Sequence, residues 1–182
     1  MRFIALLILA VVAISTIAFA QSSDDAIAAA LQPLPANMRD GTMVIKWKPD
    51  FTYDTLRKGS NGLVCYDRSG FPEQQPVSVE CTTVANLDRV AQNLKAESIG
   101  DKAKTQAALD AMEKDGTRVK PEYGSVWYHF MGADKDHARM HVTIALPGAT
   151  TQSTGLSDKR STTNVWLMNP GTSTAHLMTP GE

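Results

Sequence analysis

Four histidines are the side chains in this sequence whose type and spacing most suggest chemistry. All of them lie in the last third of the chain, at His129, His137, His141 and His176. Imidazole nitrogens are common ligands of transition metals, and a neutral imidazole also serves as a general base. What these residues can do depends on whether the fold brings them together.

Strand alternation predicts that two of these histidines are neighbours. Segments 125–131 and 139–146 have the pattern of strands, and a short polar turn containing His137 separates them. Their apolar residues must share one face of the sheet, which pairs Phe130 with Met140. That register sets His129 directly opposite His141 on the other face, with Cβ atoms about 5 Å apart.

A second predicted hairpin, formed by 164–168 and 175–178, carries sulfur beside the fourth histidine. Alternation places four side chains on one face there: Trp166, Met168, His176 and Met178. Imidazole and thioether groups together are a ligand set that soft metals such as copper accept. Met131 and Met178 are the possible soft ligands.

Two interpretations of the histidines stay open. The first is a metal site formed by His129, His137, His141 and His176. The second is a polar, half-exposed sheet face that binds no metal. The sequence does not visibly place a carboxylate where it would orient a metal-bound histidine, as such sites usually require.

Common catalytic signatures are absent from the sequence. It contains no G-x-S-x-G, H-E-x-x-H or phosphate-loop pattern. Asp134 and Asp136 suggest a calcium loop, but the required Gly and Glu are missing, so we interpret them as turn residues. We expect no cofactor and a non-enzymatic binding or structural role, with a metal-binding protein or metal-dependent enzyme as the alternative.

The N-terminus predicts export. Met1 and Arg2 precede an apolar run over 3–14, and Ala18-Phe19-Ala20 has the pattern of a cleavage site. We therefore expect residues 1–20 to be a signal peptide and 21–182 to be one globular domain in the periplasm or outside the cell. No later segment is long and apolar enough to span a membrane.

The two cysteines, Cys65 and Cys81, are expected to form a structural disulfide because exported thiols usually pair. A nucleophilic or metal-binding pair would show C-x-x-C spacing or nearby histidines. Residues 68–79 hold two prolines and few apolar side chains, and they are expected to form a surface loop that the disulfide holds in place.

Composition and periodicity indicate the fold class. The chain has 182 residues, of which 43% are hydrophobic, and a net charge of −1, which argues against a nucleic-acid partner. Strand patterns flank two helical segments, 83–97 and 102–114, and a short helix follows the signal peptide. The expected fold is α+β, an antiparallel sheet of hairpins with a two-helix middle segment and a short N-terminal helix.

The tryptophans at positions 47, 127 and 166 lie in predicted strands and are assigned to the core. Asp110, Glu113 and Asp115 are assigned to an exposed helix end, and 148–160 to a long exposed loop.

Two patches of the sequence resemble a known family. Residues 55–65 (TLRKGSNGLVC), and 165–171 (VWLMNPG) with 176–180 (HLMTP), resemble segments of small secreted bacterial proteins of unknown function. The resemblance extends in order over most of the chain after residue 20. It implies export and a bacterial origin, and it implies no particular activity, cofactor or catalytic residue.

Overall fold

The computed structural model describes residues 23–180, which form one eight-stranded sheet with helices packed on both of its faces. The predicted signal peptide lies outside the described residues. Within 23–180, no helix is long and apolar enough to cross a membrane.

Five α-helices and eight strands make up this fold. The helices are α1 (23–30), α2 (Ala36–Arg39), α3 (Leu87–Glu97), α4 (Lys102–Asp115) and α5 (Thr151–Thr154), with a 3-10 turn at Val84–Asn86. The strands are β1 (Met43–Trp47), β2 (Tyr53–Arg57), β3 (Leu63–Asp67), β4 (Val77–Thr83), β5 (Val126–Gly132), β6 (Arg139–Ala145), β7 (Trp166–Met168) and β8 (His176–Met178).

The strands lie in the order β2-β1-β3-β4-β5-β6-β8-β7. Every neighbouring pair is antiparallel except β1 and β3, which run parallel. The α+β prediction is confirmed, including the helical middle segment and the short N-terminal helix. The parallel pair is a departure from a sheet made of hairpins alone.

Helix α3 covers one side of the sheet with its apolar stripe. Leu87, Val90 and Leu94 are buried against side chains of β1 and β3 such as Ile45 and Tyr66. The spacing of three and four residues puts this stripe on one helix face, as the sequence indicated. We call the side of the sheet beneath α3 the α3 face.

The N-terminal segment covers the opposite side of the sheet. Ala30 and Leu31 pack with Val44 and with the two cysteines. Cys65 and Cys81 pair directly across β3 and β4, with Cα atoms 4.1 Å apart, and form a disulfide. The predicted pairing is therefore present, but as a link between two adjacent central strands.

Strand β4 corrects one local expectation. Residues 77–83 form a central strand, although the sequence interpretation continued the loop to residue 79 and gave this stretch no strand. Ser78, Glu80 and Thr82 are polar yet buried on the α3 face. Their polarity hid the alternation with Val79 and Cys81, because a strand buried on both faces is normally apolar throughout.

The boundaries of α4 follow the predicted signals. The Asp101 side chain accepts a hydrogen bond from the backbone N–H of Lys104, and Gly116 ends the helix in a left-handed conformation.

The stretch 148–160 differs from the expected exposed loop, because it includes the short helix α5 and the buried Ala149.

Candidate functional site

A cavity of about 340 Å³ lies on the α3 face, where the sheet extends beyond the helix. Its floor is formed by strands β5, β6, β8 and β7, and α3 forms one wall. Six of the lining side chains are histidines and methionines: His129, His141, His176, Met131, Met168 and Met178.

The predicted pairing of two histidines is confirmed. His129 lies opposite His141 across β5 and β6, in the register that pairs Phe130 with Met140. The two imidazole centroids are 5.9 Å apart. The shared face of the last hairpin is also confirmed, since His176 lies opposite Met168 in β7 and β8.

His137 does not join the other histidines. It lies in the turn between β5 and β6, where its Nδ1 and its backbone N–H both contact the Asp134 carboxylate. Within residues 23–180, no group of three or more His, Cys, Asp or Glu side chains is arranged to hold a metal ion. The four-histidine metal site therefore remains a hypothesis without geometric support.

A buried carboxylate orients His129. Nδ1 of His129 donates a hydrogen bond to Oε1 of Glu80 across β4 and β5, at 3.0 Å. The Tyr66 hydroxyl donates to the other carboxylate oxygen, also at 3.0 Å. The His129 ring also lines the cavity, so Glu80 fixes the orientation of this ring in the site.

Glu80 is held in its charged form by its neighbours. Burial alone would raise the pKa of Glu80, but Arg68, His129 and Tyr66 outweigh burial and hold the pKa well below its usual value. Arg68 contacts Glu80 at 2.5 Å and Glu97 at 2.5 Å, so its guanidinium is neutralised from two sides. Glu80 is thus a fixed acceptor for His129.

The sequence interpretation missed Glu80, although a signal was present. Val77, Val79 and Cys81 alternate with polar residues, which is the period of a strand. A strand at 77–83 would have placed Glu80 on the same face as Tyr66. The contact with His129 spans 49 positions of the chain, so only the tertiary pairing reveals it.

Trp127 belongs to the cavity as well as to the core. It packs against the apolar cluster under α3, lines the cavity, and stacks on His129 with ring centroids 6.4 Å apart and planes 13° apart. The core assignment is confirmed for Trp47 and Trp166, which are 5% and 7% exposed. For Trp127 it is incomplete, since its ring is half-buried.

Arg89 of α3 brings a buried positive charge to the cavity wall. It is only 4% exposed, and its Nη1 donates to the Val119 carbonyl and to the Ser173 hydroxyl. Within residues 23–180, no carboxylate lies within 4.0 Å of this guanidinium, and its Nε and Nη2 have no hydrogen-bond partner. The Arg89 side chain lines the cavity.

The Glu113 carboxylate acts on Arg89 through the Ser173 hydroxyl, which accepts a hydrogen bond from Arg89 and donates one to Glu113. Burial, and then the nearby Arg118, lower the pKa of Arg89 to about 10 against the opposing effect of Glu113, so the group is still protonated at neutral pH. The Glu113 carboxylate binds the backbone N–H of Ser173 at 2.6 Å, which also corrects the expectation that Glu113 faces only solvent. Arg118 is held by side-chain amides of α3, Gln92 and Asn93.

His176 presents a neutral imidazole at the far end of the cavity. Its Nδ1 donates to the carbonyl of Thr174 at 2.7 Å, which leaves the lone pair on Nε2. Burial lowers the pKa of His176, although the hydrogen bond to Thr174 opposes this effect. The ring is therefore uncharged at neutral pH.

The cavity thus combines cationic N–H donors, an indole surface, thioethers and two oriented imidazoles. This set can bind an anionic group at one end and apolar or soft groups elsewhere.

Comparison with known proteins finds no matching family model, no matching curated protein and no matching solved structure.

Proposed function

We propose that this protein is an exported, non-enzymatic binding protein whose cavity takes a small organic anion with a flat apolar body. The observation that carries the proposal is Arg89, a buried guanidinium that faces the cavity without a carboxylate partner in the described chain.

A buried charge is costly unless an opposite charge compensates it. Arg68 shows how this protein compensates one elsewhere, with two carboxylates at 2.5 Å. Arg89 donates directly only to neutral acceptors, the Val119 carbonyl and the Ser173 hydroxyl, and the Glu113 carboxylate reaches it only through that hydroxyl. A carboxylate or sulfonate on a ligand would supply a direct opposite charge, and a guanidinium can bind it through two parallel hydrogen bonds.

The rest of the cavity favours a flat apolar body on the ligand. Trp127 offers an indole ring, and Met131, Met168 and Met178 offer flexible apolar side chains. Methionine adapts to irregular shapes and makes favourable contacts with aromatic rings. A volume of about 340 Å³ is large enough for a one- or two-ring compound.

Export rests on three features. They are the predicted signal peptide over 1–20, the disulfide between Cys65 and Cys81, and the resemblance to small secreted bacterial proteins. In a bacterial host, mass spectrometry of the exported protein should show an N-terminus at Gln21. A form that keeps Met1 and stays in the membrane would contradict export.

A matched pair of probes tests the ligand class. 1-Naphthoate and the neutral naphthalene-1-carboxamide have nearly the same shape but differ in charge. We expect naphthoate to quench tryptophan fluorescence through Trp127 and to bind at least tenfold more tightly than the amide. Arg89→Met should abolish this preference, whereas Arg139→Met, which changes an exposed arginine outside the cavity, should keep it.

The comparison of the two probes needs no variant, so it stands even if Arg89→Met is unstable. Equal binding of the acid and the amide would overturn the anion proposal. Failure of both compounds to quench at millimolar concentration would overturn the proposed binding of a flat apolar body.

A further inference from the structure

The last hairpin of the chain brings four side chains together on the α3 face. Met168 lies opposite His176, and Trp166 lies opposite Met178. Directly opposite residues of paired strands have Cβ atoms about 4.5–5.5 Å apart. Two sulfur atoms, one imidazole and one indole therefore occupy the corners of one small patch, which we call the Met–His patch.

His176 is prepared to act as a ligand through Nε2. Its Nδ1 proton is committed to the Thr174 carbonyl at 2.7 Å, and the ring lines the cavity. Within the described chain Nε2 makes no hydrogen bond. In metal-bound histidines, the ring nitrogen that does not bind the metal usually donates a hydrogen bond to a carbonyl or carboxylate, and this bond fixes the tautomer. The bond from His176 to Thr174 is of this kind.

Both methionines of the patch face open space. Met168 and Met178 line the main cavity and also a second cavity of about 300 Å³ that adjoins it. Met168 is 37% exposed, so packing alone does not account for its position. By contrast, Met140 points to the opposite side of the sheet, where it pairs with Phe130.

The donor set selects the class of metal. Thioether sulfur is a soft ligand that favours Cu(I), whereas zinc and harder cations favour histidine, thiolate and carboxylate groups. No cluster of three or more His, Cys, Asp or Glu side chains is arranged for such cations within residues 23–180. A soft monovalent cation needs few ligands, and the flexible methionine side chains can close on it.

We infer that Met168, His176 and Met178 form a binding site for a soft monovalent cation, Cu(I) or its redox-inert analogue Ag(I). Trp166 lies opposite Met178 at the fourth corner of the patch. The hydrogen bond from Nδ1 of His176 to the Thr174 carbonyl leaves Nε2 as the ligand atom. Met168, His176 and Met178 line the same cavity as Arg89, but they are on β7 and β8 and Arg89 is on α3, so variants of Arg89 test the two proposals separately.

Silver nitrate titration of the purified protein in a chloride-free buffer tests this site. We expect one Ag(I) per chain by native mass spectrometry and a rise in Tm, because a ligand that binds only the folded state stabilises it. With 13C-labelled methionine methyl groups, the NMR signals of Met168 and Met178 should shift while that of Met140 stays in place.

Leucine variants provide matched controls. Met168→Leu and Met178→Leu keep the size of the side chain and remove the sulfur, and each should weaken Ag(I) binding at least tenfold. Met140→Leu should bind within twofold of the wild type. Zn(II) under the same conditions should leave Tm unchanged.

Two results would overturn the inference. One is a Met168→Leu, Met178→Leu double variant that binds Ag(I) as tightly as the wild type. The other is the absence of any shift at these two methyl groups in the wild-type protein, a measurement that needs no variant. Arg89→Met separates the two proposals, since it should lose the preference for naphthoate and keep Ag(I) binding.

Discussion

Glu80 and His129 face each other across strands β4 and β5, and the Glu80 carboxylate accepts the Nδ1 proton of His129 at 3.0 Å. This contact joins the buried charges of the core to the cavity. On one side Glu80 binds Arg68, and on the other it sets the orientation of a ring in the candidate site. The stability of the core and the geometry of the site are therefore linked through one carboxylate.

Glu80→Gln should lower the free energy of unfolding by about 3 kcal/mol at neutral pH, because it removes a charged partner from buried Arg68. Urea denaturation measures the change. Asp54→Asn, which breaks the exposed ion pair with Lys48, should cost less than about 1 kcal/mol and serves as the control. Equal costs for the two variants would contradict the buried network.

The stabilising effect of Glu80 should also depend on pH. The folded-state pKa of Glu80 lies below its ordinary value of 4.5, so its contribution is complete above about pH 4.5. Below that pH the unfolded chain takes up the proton first, and stability falls. Denaturation curves of the wild type and Glu80→Gln should therefore converge on acidification, and a constant difference down to the lowest accessible pH would contradict this prediction.

His176 should make stability fall at a higher pH. Its folded-state pKa is below the ordinary value of 6.5, so the unfolded chain binds this proton first as the pH drops through about 6.5. The contribution is complete above that pH and declines below it. His176→Gln should flatten the pH dependence of stability between about pH 7 and 5, measured by urea denaturation, and an unchanged slope would contradict this prediction.

Replacing both cysteines by alanine should destabilise the protein by about 3 kcal/mol, the loop-closure effect for a separation of 16 residues. Urea denaturation of the double variant and of the reduced wild type should agree to within about 1 kcal/mol. Detection of two free thiols in the unreduced wild type after unfolding would show that the disulfide does not form.

Gly59→Ala should disturb the start of β1. A Cβ atom on Gly59 would lie 2.2 Å from the backbone nitrogen of Met43 and 2.7 Å from the carbonyl oxygen of Gly41, so the backbone must move. We expect a loss of about 2 kcal/mol or more. Gly41→Ala is the control, since its nearest neighbour is the Asn61 side chain at 3.2 Å, and it should cost less than about 1 kcal/mol.

Local patterns in the sequence predicted much of the architecture. The stripe of α3, the Asp101 cap and Gly116 terminus of α4, and the alternation in β5 and β6 each depend on residues close in the chain. The same alternation predicts that His129 lies opposite His141. Such features follow from backbone geometry, which repeats every 3.6 residues in a helix and every two in a strand.

The sequence by itself therefore determined the fold class, the pairing of the cysteines and the face on which the histidines and methionines lie. Only the tertiary structure decided that Glu80 reaches His129 and that Arg89 lines the cavity with no carboxylate in direct contact in the described chain. The physical reason is that burial and charge pairing depend on which strands become neighbours and where a helix docks. Those contacts join residues far apart in the chain, and no local period encodes them.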